Sequence, residues 1–111
     1  MGKNNYISIK KNDDFKKVYD KRKSAANKHL VIYIRRNNFD FNRIGVSVSK
    51  KVGNSVVRHH IKRRIIEIYR LSSKLKKGYD IVLVARNAAA EASYNEIEKS
   101  FYNLCRRMNL C

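Results

Sequence analysis

Apolar and polar positions alternate with a period of two in two stretches and with a helical period in three others. Over residues 30–35, Leu30, Ile32 and Ile34 point one way and Val31, Tyr33 and Arg35 the other. This predicts a strand with one core face and one mixed, partly open face. Over residues 44–49, Ile44, Val46 and Val48 alternate with Gly45, Ser47 and Ser49, a half-buried strand. The polar residues 37–42 between them, which include Phe39 and Phe41, are turn-like, so the two strands are expected to pair as an antiparallel hairpin. Before them, Phe15, Val18 and Tyr19 share one face of a short helix opened by Asn12-Asp13-Asp14, with an Asn or Asp cap expected and Lys21, Arg22 and Lys23 at its other end. After them, Gly53-Asn54-Ser55 caps a helix over 55–71 whose buried stripe is Val57, Ile61, Ile65 and Ile68, with Tyr69 beside it. A basic turn at 74–78 leads to a strand over 79–86. Ser93 and Glu96 then form a capping box for a last helix with Ile97, Phe101, Leu104, Cys105 and Met108 on one stripe. The expected fold class is α+β, an α/β sandwich in the order α-β-β-α-β-α, with a possible extra strand at 6–9.

Length and composition narrow this picture. At 111 residues the chain has room for one core, so 1–111 is expected to be a single domain. Its 43% apolar content is that of a folded protein. Charge adds the first functional pointer. Twenty-six Lys and Arg against nine Asp and Glu give +17, which must lie on the surface and repels itself unless an anion is near. Nucleic acid is the first candidate partner, an anionic membrane the second, and a merely solubilising charge the third. No run of 18 apolar residues could span a bilayer, and residues 1–11 lack the apolar segment expected of a signal peptide. Cys105 and Cys111 are too few and too close for a disulfide framework, and no Cys/His metal spacing occurs, so a reducing, cytoplasmic setting is expected.

The charge is concentrated on the central helix. His59, Lys62, Arg63, Ile66 and Arg70 fall on one face at 100° per residue, with Arg58 and Arg64 on the flanks. Residues 42–78 hold eleven Lys and Arg and one acid, Glu67. A solvated surface helix usually mixes signs, because ion pairs a turn apart help it. Lys50, Lys51 and Arg58 also sit near the positive N-terminal end, where cations are unfavourable. The arrangement makes sense when backbone N–H groups, dipole and cations converge on phosphate.

The block Val46-Ser47-Val48-Ser49-Lys50-Lys51-Val52-Gly53-Asn54-Ser55-Val56-Val57-Arg58, followed by Ile61-Lys62-Arg63, resembles the central block of the bacterial ribonuclease P protein component. Residues 10–19 resemble that family's first helix, 24–28 the lead into its first long strand, and 79–86 its last strand. The likeness spans roughly residues 8–108. It implies a mixed sheet with a left-handed βαβ crossover, of the ribosomal-protein-S5-domain-2-like type. It also implies a division of labour: a catalytic RNA subunit, with Mg2+ bound mainly by the RNA, hydrolyses the phosphodiester that joins the 5′ leader to precursor tRNA. The protein, a monomer in a one-to-one ribonucleoprotein, binds that RNA and guides the leader. RNA-binding positions carried over are Lys50, Lys51, Arg58, His59, His60, Lys62, Arg63, Arg64 and Arg70; the leader cleft falls on Phe15, Tyr19, Val31 and Tyr33. Where the family signature reads Arg-Asn-Arg, this chain has Arg58-His59-His60, two imidazoles that need not be charged at neutral pH. Ile66 stands where arginine is common, Arg64 adds a cation on the flank, and a glycine common after the first helix is replaced at Arg22 or Lys23.

Two other classes of function compete. A basic structural RNA-binding protein of ribosomal type would share the charge and fold class. A self-sufficient nuclease would need an acid–base pair or a metal-holding carboxylate set. His59 and His60 point about 100° apart on a helix, His29 is remote in sequence, and the nine acids form no metal-nuclease pattern. Catalytic residues in the protein itself are therefore expected to be none.

Overall fold

A computed structural model describes residues 6–21 and 23–111. Helix α1 spans Asn12–Asp20, strand β1 Lys23–Ala26, β2 Leu30–Arg36, β3 Arg43–Val48, helix α2 Ser55–Leu71, β4 Tyr79–Ala85 and α3 Tyr94–Arg107, with a 3-10 turn at Asn87–Glu91 before α3. The four strands form one mixed sheet in the order β1-β2-β4-β3. β2 is antiparallel to β1 and β4, and β3 is parallel to β4.

The period-two reading of β2 holds. Leu30, Ile32 and Ile34 are buried, while Val31, Tyr33 and Arg35 are half-buried. The first set joins Ile44, Ile81 and Leu83 under α2 and α3, which contribute Ile61, Ile65, Ile68, Ile97, Phe101, Leu104 and Cys105. The opposite face carries a smaller cluster in which Ile9, Val18 and Val82 are buried and Phe15, Tyr19, Tyr33 and Val84 partly so. α1 lies on that face, so the sheet is covered fully on one side and partly on the other.

The expected hairpin between residues 30–35 and 44–49 does not form: β4 lies between β2 and β3. The polar connection is long enough to step over the start of β4 and is tied down there. Asn37 donates its N–H to the Gly78 carbonyl at 2.9 Å, and Tyr79 donates its N–H to the Asn42 side-chain oxygen at 2.8 Å. The near-continuous apolar run Ile81–Ala85 suits the central position, where both faces are covered. A further strand, β1, extends the sheet beyond β2, so the order is α-β-β-β-α-β-α. β1 carries only short or charged residues, Lys-Ser-Ala-Ala, and is mostly exposed, so it has no hydrophobic alternation.

Residues 6–9 supply a single parallel bridge, Ser8 to Ile44, rather than a full strand. The N-cap of α1 is Lys11 with no side-chain cap, not an Asn or Asp; Asp13 and Asp14 instead lie in its first turn. Arg22, and with it part of the expected basic helix end, lies outside the described residues, and Lys23 belongs to β1.

Candidate nucleic-acid interface

Strand register arranges the α1 face of the sheet in rows. Val31, Val84 and Ser47 form one row across β2, β4 and β3; Tyr33, Val82 and Gly45 form the next; Arg35, Asp80 and Arg43 the third. α1 crosses the second and third rows. The Phe15 ring rests on Gly45, so close that a β-carbon there would lie 2.6 Å from it. Val18 is wholly buried in the cluster with Val82. Tyr19 meets Tyr33 edge to face, with ring centroids 4.8 Å apart, and Phe15 lies 6.5 Å from Tyr19. Burial, and after it the neighbouring Tyr33, raise the Tyr19 pKa against the opposing effect of the Ser47 hydroxyl, which keeps this phenol neutral. Phe15, Tyr19, Val31 and Tyr33 are all half-buried. The structure therefore groups Phe15, Tyr19 and Tyr33, with Val31 in the next row of the same sheet face. It adds Ser47, Val84 and Gly45, which period-two alternation alone could have placed on this face.

The third row is a fixed ionic layer. Asp80 is fully buried and accepts from Arg43 at 2.6 and 2.8 Å, from the Asn37 amide at 2.9 Å and from Arg35 at 3.3 Å. Burial by itself would raise the Asp80 pKa, but the Arg43 and Asn37 hydrogen bonds and the two guanidinium charges outweigh it and hold the carboxyl below its ordinary value. Arg43 also reaches Asp14 of α1 at 3.4 Å, so one guanidinium joins α1, β3 and β4. The only acid in an otherwise apolar strand was the available signal for this layer.

One wall of the cleft is cationic. Asn54 caps α2, accepting from the Val57 N–H at 3.0 Å, and the first intrahelical bond runs from Arg58 N–H to the Asn54 carbonyl at 2.9 Å. The Ser55 and Val56 amides precede that bond and are left for an external acceptor. A β-carbon on Gly53 would lie 2.7 Å from the Val57 side chain, which is why the turn can approach the helix so tightly. Arg58, His59 and Lys62 line a groove with Val46, Ser47, Val48 and Ser55. Lys62 and Ile66 also line the adjoining groove beside Phe15 and Gly45. Lys50, Lys51, His60 and Arg63 are exposed. Arg64 turns toward the start of α3, donating to the Ala92 carbonyl at 3.2 Å, and Arg70 lies by the 40–42 loop. The nine basic-block positions thus divide. Arg58, His59 and Lys62 line the groove along β3, with Lys62 reaching the groove beside Phe15, Lys50 and Lys51 stand at the turn before α2, and His60, Arg63, Arg64 and Arg70 continue around the helix.

His29 is buried with its Nδ1 2.6 Å from the Ser100 Oγ of α3, whereas His59 and His60 are exposed on α2. Among the described residues no group of three or more His, Cys, Asp or Glu could hold a metal ion, and the acids nearest the cleft, Asp14 and Asp80, are engaged by Arg43. Buried Cys105 has its thiol pushed up to about 12 by desolvation, the behaviour of a small core residue. No helix among the described residues is long and apolar enough to cross a membrane.

An α+β sandwich with a half-open sheet face and a strongly cationic helix beside it is the form of a nucleic-acid-binding protein. Comparison with known proteins narrows the class. The family model described as ribonuclease P matches residues 4–109. The ribonuclease P protein component of Alkaliphilus oremlandii is 56% identical over 103 residues, covering 92% of this chain and 90% of that protein. That of Clostridioides difficile is 47% identical, covering 99% and 98%. Among solved structures, the RNase P protein of Staphylococcus aureus superposes with a TM-score of 0.86 at 37% identity, covering 93% of this chain and 95% of that one. The Thermotoga maritima RNase P protein gives 0.82 at 28%, covering 90% and 96%. The chain belongs to the ribonuclease P protein family, the protein component of the ribonuclease that processes tRNA 5′ ends. That placement decides between the two RNA-binding readings of the sequence.

Proposed function

We propose that this chain, acting as one RNA-binding domain, holds the catalytic RNA of ribonuclease P on its α2 face and the 5′ leader of precursor tRNA in the cleft under α1. The observation that carries the reading is the Tyr19–Tyr33 pair, 4.8 Å apart and half-buried, on the sheet face whose β3 side, at Ser47 and Phe15, meets the groove walls formed by Arg58, His59 and Lys62. Aromatic faces next to a cationic groove suit unstacked bases on a phosphate strand.

The α2 side offers the catalytic RNA two kinds of contact. The unpartnered amides of Ser55 and Val56, with Lys50, Lys51 and Arg58 around them, suit a phosphate at the helix N-terminus. Lys62, Arg63, Arg64 and Arg70, with His59 and His60, continue that contact along the helix. The family resemblance gives magnesium to the RNA, and the protein's share in this reading is binding and positioning. The protein alone is inactive in this reading, and works as a monomer in a one-to-one particle in the cytoplasm.

Reconstitution tests it. Purified protein added to the cognate catalytic RNA should accelerate leader removal at low magnesium, and protein alone should cleave nothing. Cleavage by protein alone would refute the division of labour. No effect on the RNA's cleavage would leave a purely structural RNA-binding role.

A further inference from the structure

The cleft and its cationic wall occupy one part of the sheet. Where β2 ends and β4 begins, a second groove of about 810 Å³ runs between the strands and the C-terminal end of α3. Its cations are Lys21 after α1, Lys23 in β1, Arg35 and Arg36 closing β2, Lys76 before β4 and Arg107 closing α3. No acid is among the described residues that line it. Among the described residues only Arg35 has a carboxylate partner, the Asp80 it shares with Arg43. Two of the other cations are held in place. The Arg36 guanidinium lies 5.5 Å from the centre of the Tyr79 ring, and Arg107 donates to the Ala26 carbonyl at 2.8 Å. The other five cations, gathered from five separate parts of the chain, repel one another and become favourable when phosphates neutralise them.

The groove meets the cleft at the β1–β2 side of the sheet and turns there to the α3 face. Lys21 follows Tyr19 by two positions, and Arg35 and Ser24 share the strand face of Tyr33, whereas Lys23 pairs with Ile34 on the core face. α1 crosses the sheet from Gly45 on β3 to Tyr33 on β2, and α2 packs against β3, at the sheet edge opposite β1. An RNA strand that enters the cleft from the α2 side therefore leaves it toward Lys21 and Ser24.

We propose that this groove is an upstream extension of the leader path. Single-stranded leader that has passed Tyr19 and Tyr33 lays its phosphates along Lys21, Lys23 and Lys76, with Arg36 and Arg107 as the fixed cations of the track. The inference rests on the leader-cleft reading above and adds a substrate requirement to it: longer leaders bind more tightly, and the increment resides in this groove.

The test uses the holoenzyme assembled with wild-type protein or with the triple variant K21Q/K23Q/K76Q, whose three exposed lysines make no side-chain bond or ion pair among the described residues. Equilibrium affinity is measured for precursors with leaders of about 4 and about 16 nucleotides, the span of single-strand site sizes. The wild-type holoenzyme should bind the long-leader precursor more tightly than the short. The triple variant should lose that gain and leave the short-leader affinity and the catalytic-RNA affinity unchanged. Its salt slope for the long leader should fall by about two units, at ~0.7 for each phosphate no longer neutralised. Equal wild-type affinity for both lengths, or a triple variant that keeps the gain, overturns the proposal. An equal loss on both lengths, or on the catalytic RNA alone, overturns it in favour of a dock for that RNA. Tyr33→Ala on the short-leader precursor separates the two readings. If it weakens binding, the cleft stands whatever the groove does; if it does not, the cleft reading has failed and the groove proposal with it.

Discussion

The Phe15 ring fills the place that a side chain on Gly45 would need, 2.6 Å from where its β-carbon would sit. α1 can therefore lie directly on the β3 backbone, with Val18 sealed beneath it and Tyr19 carried to Tyr33. The width of the cleft follows from that one contact.

Gly45→Ala should turn Phe15 aside rather than unfold the chain, because the far end of a half-buried ring is what clashes. A thermal or denaturant melt should show a loss near the low end of the overpacking range, about 1 kcal/mol. Holoenzyme affinity for a leader-bearing precursor should fall about fivefold, equivalent to roughly 1 kcal/mol, with mature tRNA unaffected. Equal losses for both RNAs would place Phe15 outside the leader path.

Asp80 should make the fold acid-sensitive. Its carboxyl is held below the ordinary value by Arg43, Asn37 and Arg35 against the opposing effect of burial. A depressed carboxyl stabilises the fold above its unfolded pKa, and that contribution disappears as pH falls through the folded value, so the loss belongs below about pH 4. Melting temperatures should drop there, and less steeply in Asp80→Asn. That variant should already be about 3 kcal/mol less stable at neutral pH, since it leaves Arg43 without its buried charge partner. Identical acid profiles for the two proteins would remove Asp80 as the source.

Lys62→Ala and Arg63→Ala should each flatten the salt dependence of catalytic-RNA binding, by about 0.7–0.9 in slope if each neutralises one phosphate. Lys62, which lines both grooves beside the cleft, should also weaken leader binding when replaced; Arg63, further around the helix, should not. Unchanged slopes in both would take them out of the interface.

Much of this arrangement is legible in the sequence because burial imposes a period. Leu30, Ile32 and Ile34 set the core face of β2 and put Tyr33 on the other. Val57, Ile61, Ile65 and Ile68 fix which side of α2 faces out, and Ser93 with Glu96 marks the start of α3, where both capping-box bonds form. What escapes is set by contacts between segments distant in the chain. The short step from β2 to β3 suggests a hairpin, whereas in the sheet it passes over the start of β4, held there by the Asn37–Gly78 and Asn42–Tyr79 hydrogen bonds. β1 is added through backbone pairing by residues that carry no hydrophobic alternation. The same limit applies to the site. Phe15, Tyr19, Val31 and Tyr33 are placed together by periodicity and family resemblance, whereas the Asp80 layer and the Lys21–Arg107 groove depend on charges brought together from separate elements.

The cleft itself is tested most directly by comparing holoenzyme affinity for precursor tRNA and mature tRNA, with wild-type protein and with Tyr19→Ala and Tyr33→Ala. If each tyrosine stacks a leader base, each variant should lose roughly 1–3 kcal/mol on the precursor and almost nothing on mature tRNA. Losses of equal size on both RNAs, or none on either, would contradict a leader cleft between α1 and the sheet.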